Sequence, residues 1–139
     1  MRVRLEHANV AVTDIVEVAD FLRSAFPDFR VRHGGTKADG SRWMHVGDDD
    51  VYLSLEEAHE SDARERYGPR EGLNHLGFVV DDAEAVRARL AAAGYTDTTP
   101  KNTHPARRRV YFEGPGGLEI EFVQYLSADA VERNDYSDA

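Results

Sequence analysis

The chain has 139 residues, 41% of them hydrophobic, no cysteine and a formal net charge of −9. Its length fits one domain that buries roughly two-thirds of its unfolded surface, and the absence of cysteine excludes disulfides and thiolate metal sites. The acidic balance argues against nucleic acid as a partner, and no apolar run approaches the roughly 20 residues of a membrane span. The opening Met1-Arg-Val-Arg does not lead into the apolar stretch of a signal peptide, so a cytoplasmic protein without a membrane partner is expected.

The first predicted element is the alternating strand Leu5-Glu-His7-Ala-Asn-Val-Ala-Val12, closed by Thr13-Asp14. It recurs 68 positions later as Leu73-Asn-His75-Leu-Gly-Phe-Val-Val80-Asp-Asp82. A repeat of this kind decides architecture before local propensity does. Asp14 is placed to cap a helix over Asp14 to Phe26 with Val18, Leu22 and Phe26 as its apolar stripe. Three extended segments follow: Phe29 to His33, Arg42 to Val46 and Val51 to Glu56, with turns predicted at Gly34-Gly35 and Gly47 to Asp50. In the second copy Asp82 opens a helix over Ala83 to Ala93, striped by Val86 and Leu90 and stopped by Gly94. Segments Tyr95 to Thr99, Arg107 to Phe112 and Leu118 to Tyr125 complete it, with a turn at Gly114-Pro-Gly-Gly117.

Each half therefore reads β-α-β-β-β, and the fold class is α+β: paired βαβββ modules forming a curved mixed β-sheet cup with helices outside. Residues 1–126 make the domain, with module 1 at 1–57, a charged linker at 58–72 carrying Gly68-Pro69, and module 2 at 73–126. The polar tail 127–139 is expected to form a short helix followed by disorder.

Alternation assigns the chemistry. If Ala8, Val10 and Val12 face the first helix, then Leu5, His7 and Asn9 face the open side; the repeat puts Leu73, His75 and Gly77 there, and the last strand puts Glu119, Glu121 and Val123 there. Two imidazoles and one carboxylate, His7, His75 and Glu121, are a donor set for one divalent metal ion, Fe2+, Zn2+, Ni2+ or Mn2+, with positions left for water and a bidentate substrate. The repeat matches Glu121 to Ser54, a poor ligand, so the candidate fourth ligand is Glu56, two residues further on the same face. Asn9 is a candidate substrate contact. Arg107-Arg108-Arg109 is read as a strand with solvated arginines, or as a place where one or two of them meet an anionic small molecule. His45 beside Trp43 packs or lines the cup, while His33, at a turn, and His59 are expected in solvent.

With these residues in place, the chain resembles the vicinal oxygen chelate superfamily, which groups glyoxalase I, extradiol dioxygenases, fosfomycin-resistance transferases and bleomycin-binding proteins. The resemblance covers residues 1 to about 126 and rests on the paired repeat, the two histidine strands and Gly114-Pro-Gly-Gly-Leu-Glu-Ile-Glu121-Phe. It implies a metal-dependent enzyme that chelates adjacent oxygens of a small substrate, and a homodimer. Ser54 and Ala11 stand where glyoxalase I carries a metal glutamate and a glutathione-binding arginine, and the potassium loop of fosfomycin transferases has no counterpart here. The segment from His104 through Val110-Tyr111 and Pro115-Gly-Gly117 to Glu121 is similar to the extradiol signature. That similarity implies His104 as proton carrier and Tyr111 as hydrogen-bond donor to a bound phenolate, and slightly favours dioxygenase-like chemistry over isomerisation. The alternative is a non-catalytic protein that sequesters an aromatic or antibiotic-like ligand, with Trp43, Tyr52 and Tyr111 as stacking surfaces.

Overall fold

The computed structural model describes residues 1, 4–60, 67, 73–101 and 103–136. The chain divides into two compact units, Met1–Arg64 and Glu65–Ala139. In the first, strand β1 (His7–Val12) leads to helix α1 (Ile15–Ala25) and then to β2 (Arg30–Thr36), β3 (Arg42–Gly47) and β4 (Tyr52–Glu57). The four strands form one mixed sheet in the order β1-β4-β3-β2, with β1 parallel to β4. The second unit repeats this with β5 (His75–Val79), α2 (Ala83–Ala92), β6 (Thr96–Asp97), β7 (Arg107–Glu113) and β8 (Glu119–Tyr125), in the order β5-β8-β7-β6 and with β5 parallel to β8. Among the described residues no helix is long and apolar enough to cross a membrane.

Both helices start where their caps dictate. The Asp14 carboxylate accepts the backbone N–H groups of Val16 and Glu17, both at 3.0 Å, and Asp82 accepts that of Ala85 at 3.0 Å. Gly94, at φ +87°, ends the second helix in the left-handed region that favours glycine. The buried face of α1 is Ile15, Val18, Ala19, Phe21, Leu22 and Ala25. Phe26 is not on it: the chain leaves helical geometry there, and its ring packs on Phe29 at 4.5 Å.

The predicted turn at Gly34-Gly35 is corrected. Both glycines lie inside β2, and the hairpin turns instead between Lys37 and Ser41. The reason is close approach, since a Cβ at Gly34 would stand 2.8 Å from the Trp43 carbonyl oxygen and one at Gly35 would meet the Trp43 indole. His33 is consequently a strand residue, still exposed, in register with His45. The predicted turn at Gly114 to Gly117 holds as a short 3-10 turn, Pro115–Gly117, while Gly68-Pro69 lies outside the described residues.

The tail departs from its expected course up to residue 136. A short helix α3 (Ala130–Arg133) forms as predicted, but the residues after it are held. The Arg107 guanidinium donates to the carbonyl oxygens of Arg133 at 2.9 Å and Asp135 at 3.1 Å, and lies 4.6 Å over the Tyr136 ring. Arg107 is buried rather than solvated for this reason; residues 137–139 lie outside the described residues.

Candidate metal centre

In the second unit the register of β5, β8 and β7 gathers chemistry on the face turned away from α2. Gly77 pairs with Glu121, and Glu121 with Tyr111. His75 pairs with Glu119, one alternation away. The His75 Nε2 lies 3.1 Å from Glu121 Oε2. Glu121 is also hydrogen-bonded by the Tyr111 hydroxyl, and the Tyr111 ring meets the His75 ring edge-on at 5.6 Å. Burial first, and then the contact with the Glu121 carboxylate, push the Tyr111 phenol well above its ordinary pKa, so Tyr111 stays protonated and acts as a donor.

A second layer backs this pair. His75 Nδ1 lies 2.9 Å from the Tyr67 hydroxyl, which donates to Glu119 Oε1 at 2.8 Å; the other oxygen of Glu119 accepts the Thr98 hydroxyl at 2.9 Å. Glu119 is 5% exposed, and these bonds give a partner to each of its two oxygens. Gly77 leaves the space over Glu121 open, where a Cβ would come within 3.7 Å of Oε2. Alternation placed Glu119 on this face in advance. Tyr67 had no signal, because it comes from the linker, and Thr98 and Gly77 had none that singled them out.

The first unit carries the matching positions with different residues. Register places Ser54 opposite Asn9 and His45, as Glu121 stands opposite Gly77 and Tyr111. Ser54 is therefore the true counterpart of Glu121, and it accepts the Asn9 amide at 3.2 Å. His7 stacks on Tyr52 at 4.8 Å, and its Nδ1 lies 2.9 Å from Glu6. From there the rings continue across the sheet: Tyr52 to His45 at 4.7 Å, His45 to Trp43 at 5.0 Å, and Trp43 to His33 at 5.5 Å. The Arg32 guanidinium covers Tyr52 at 4.4 Å. Burial, followed by the nearby Arg32 charge, lowers the His45 pKa and keeps it neutral.

Two predicted site residues lie further along their strands: Glu56, beside Asn9 and near His45, and His104, away from Tyr111. Glu56 is four residues along β4 from Tyr52, the register partner of His7, which is about 13 Å of strand. It is ion-paired with Lys37, whose hydrogen bond lowers the Glu56 pKa. His104 bridges to Arg107, four residues and again about 13 Å along β7 from Tyr111. Its Nδ1 accepts the Ala106 N–H at 3.1 Å, while its Nε2 is buried without a hydrogen-bond partner beside a cavity of about 490 Å³ that Lys101, Arg108 and Arg109 also line.

An imidazole nitrogen and a carboxylate oxygen converging on one open face are donors that suit borderline divalent ions, so His75 and Glu121 fit a metal. Among the described residues no group of three or more His, Cys, Asp or Glu side chains is gathered as a metal cluster; His75 and Glu121 stand as a pair.

Two mixed four-stranded sheets, each built from a βαβββ module with a His on its first strand, define a duplicated α+β fold. The chain belongs to the Glyoxalase/Bleomycin resistance protein/Dioxygenase superfamily, whose family model matches residues 4–122. It is similar in structure to a glyoxylase/bleomycin resistance protein/dioxygenase domain from Frankia sp. EAN1pec, with 20% identity, a TM-score of 0.75, and coverage of 93% of this chain and 96% of that one. It is also similar to the genomically encoded fosfomycin resistance protein FosX from Listeria monocytogenes, solved with Mn(II) and sulfate, at 17% identity and a TM-score of 0.68, covering 97% of this chain and 100% of that one. A third similar structure is TnmS3, an antibiotic-binding protein from Streptomyces sp. CB03234, at 25% identity and a TM-score of 0.62, covering 89% of this chain and 97% of that one. No curated protein matches the chain.

Proposed function

We propose that this protein is a metal-dependent enzyme acting on a small substrate with two adjacent oxygens, and that His75 and Glu121 are two ligands of its divalent ion. The observation that carries this reading is the 3.1 Å approach of His75 Nε2 to Glu121 Oε2, on a face kept open by Gly77. The sequence repeat offers His7, on the first unit, as a further donor. A bound divalent ion supplies Lewis-acid activation of neighbouring substrate oxygens. The rest of the chemistry lies with the chain. Tyr111, kept protonated, can turn its one hydroxyl proton from Glu121 to a substrate oxygen as that oxygen gains charge. Dioxygenase-like chemistry then rests on Tyr111 alone among the residues of the extradiol signature, because His104 lies about 13 Å along the strand. Manganese in the FosX structure supports a divalent ion in this family.

Titration with Mn(II), followed by the loss of the free-ion electron paramagnetic resonance signal, tests the assignment. One site per chain that disappears in Glu121→Ala and in His75→Ala is expected; retention of that site in both variants would refute it.

One observation favours a second reading. The unbroken row of rings from His7 to His33 across the first sheet is a surface for a planar aromatic ligand. In that case metal-free protein binds such a ligand with a change in Trp43 fluorescence, and Tyr52→Ala weakens the binding at least tenfold. No fluorescence response to an aromatic ligand series would rule this out.

A further inference from the structure

We propose that the second unit carries an anion site apart from the metal centre: a cavity of about 490 Å³ beside β7 that takes the phosphoryl group of a small molecule through Lys101, Arg108 and Arg109. This site does not depend on the reading of His75 and Glu121 as metal ligands.

Its place follows from strand lengths. β6 is two residues long and pairs with Phe112 and Glu113, so Arg107-Arg108-Arg109 lies past its end. The cavity sits there, walled by β7, by the segment after β6 and by Glu84 and Arg87 on α2. The wall on α2 sets it apart from Glu121, which stands on the face turned away from that helix. Distance separates the two as well, since His104, in the lining, lies about 13 Å along the strand from Tyr111.

Charge points to the kind of ligand. The chain has 26 acidic residues against 17 lysines and arginines, yet five of those cations line this one cavity. Among the described residues Glu84 is the one carboxylate in the lining, and it is already engaged, by Arg87 at 2.8 Å and Arg108 at 3.6 Å. Lys101 and Arg109 have no ion-pair partner among the described residues. Like charges gathered in this way repel, and an anion held between them turns repulsion into attraction. A phosphoryl group fits better than a single carboxylate, because it brings about two charges and three acceptor oxygens to arginine forks and a lysine ammonium. Pro100 and Leu126 offer apolar surface to the rest of the molecule, and the volume falls in the range of roughly 300–1,000 Å³ usual for small ligands.

Two buried donors give an independent sign. Arg107 is 8% exposed, and its Nε–H, which is always present, has no hydrogen-bond partner among the described residues. The His104 Nε2 is unpartnered in the same way, and because Nδ1 accepts the Ala106 N–H at 3.1 Å, the ring proton sits on Nε2. Both residues line the cavity. Buried donors left unmatched cost free energy, and a bound anion supplies acceptors after side-chain shifts of the kind that binding commonly brings.

The test is phosphorus-31 and nitrogen-15 NMR of the full chain with inorganic phosphate and phenyl phosphate, at about 0.15 M salt so that diffuse attraction is screened. Saturable binding that moves the His104 ring resonances is expected. It should weaken about tenfold or more in the double variant Lys101→Gln, Arg109→Gln, and stay unaltered in Arg23→Gln, which removes a cation outside the cavity. It should also persist in Glu121→Ala, where phosphate held by a metal ion would be lost. His104 resonances that stay still as phosphate is raised overturn the site, whether or not the variants fold. So does an equal loss in Arg23→Gln and in the double variant, and so does loss of binding in Glu121→Ala. Succinate binding more tightly than phosphate would overturn the choice of a phosphoryl group.

Discussion

Tyr111 and Glu57 show how single side chains here set opposite pH limits. The Tyr111 phenol, 8% exposed and hydrogen-bonded to Glu121, has its pKa raised, so the folded state favours its protonated form. That contribution is complete below the ordinary phenol pKa of about 10 and is lost as pH climbs above it. Tyr111→Phe should therefore flatten the fall in stability above about pH 10, read as the urea midpoint against pH; an unaltered alkaline slope would contradict the shift. Glu57 works at the other end. Hydrogen bonds from the Arg42 side chain and backbone lower its pKa from 4.5 to about 2. Its contribution is present above pH 4.5 and disappears as pH falls from 4.5 towards 2, and Glu57→Gln should remove that part of the acid sensitivity. A profile between these limits that matches the parent's would show that the ion pair contributes nothing.

At the scale of elements, alternation and capping were legible because each depends on neighbours in sequence. Asp14 and Asp82 cap as expected, and the open-face assignments of His75, Glu119 and Glu121 follow from a period of two. Asp14→Ala removes an acceptor shared by two N–H groups and should cost about 1 kcal/mol in urea unfolding, where a change below a few tenths would show the cap to be idle. What remained illegible depends on contacts across the sheet. Gly34-Gly35 has turn composition, but the need is for space beside Trp43, a residue on another strand. Gly47 is a sharper case. A Cβ there would stand 2.1 Å from the Val51 carbonyl oxygen, so Gly47→Ala should destabilise by about 1–3 kcal/mol, measured by the same unfolding experiment. The positions of Tyr67 and His104 were likewise hidden, since one lies in a linker and the other is set by a bridge to Arg107.

At the scale of the whole molecule, the duplicated modules share a register and have diverged in chemistry. Equivalent positions hold Asn9 and Gly77, Ser54 and Glu121, Tyr52 and Glu119, His45 and Tyr111. The second module carries carboxylates and hydroxyls around His75, whereas the first carries stacked rings around His7. The duplication and its family were readable from the repeat, because both copies kept the strand histidine and the helix-capping aspartate. The divergence was only half readable: Ser54 in the place of Glu121 follows from the repeat, but the ring row that surrounds it needs the strand order β1-β4-β3-β2 to be seen. The central claim is that this protein holds one divalent ion, with His75 and Glu121 among its ligands. Elemental analysis of protein purified without chelator and without a histidine tag tests it most directly. About one divalent ion per chain, lost in Glu121→Ala, is the predicted result; protein that carries no ion and takes up none when Mn(II), Fe(II), Ni(II) or Zn(II) is supplied would contradict it.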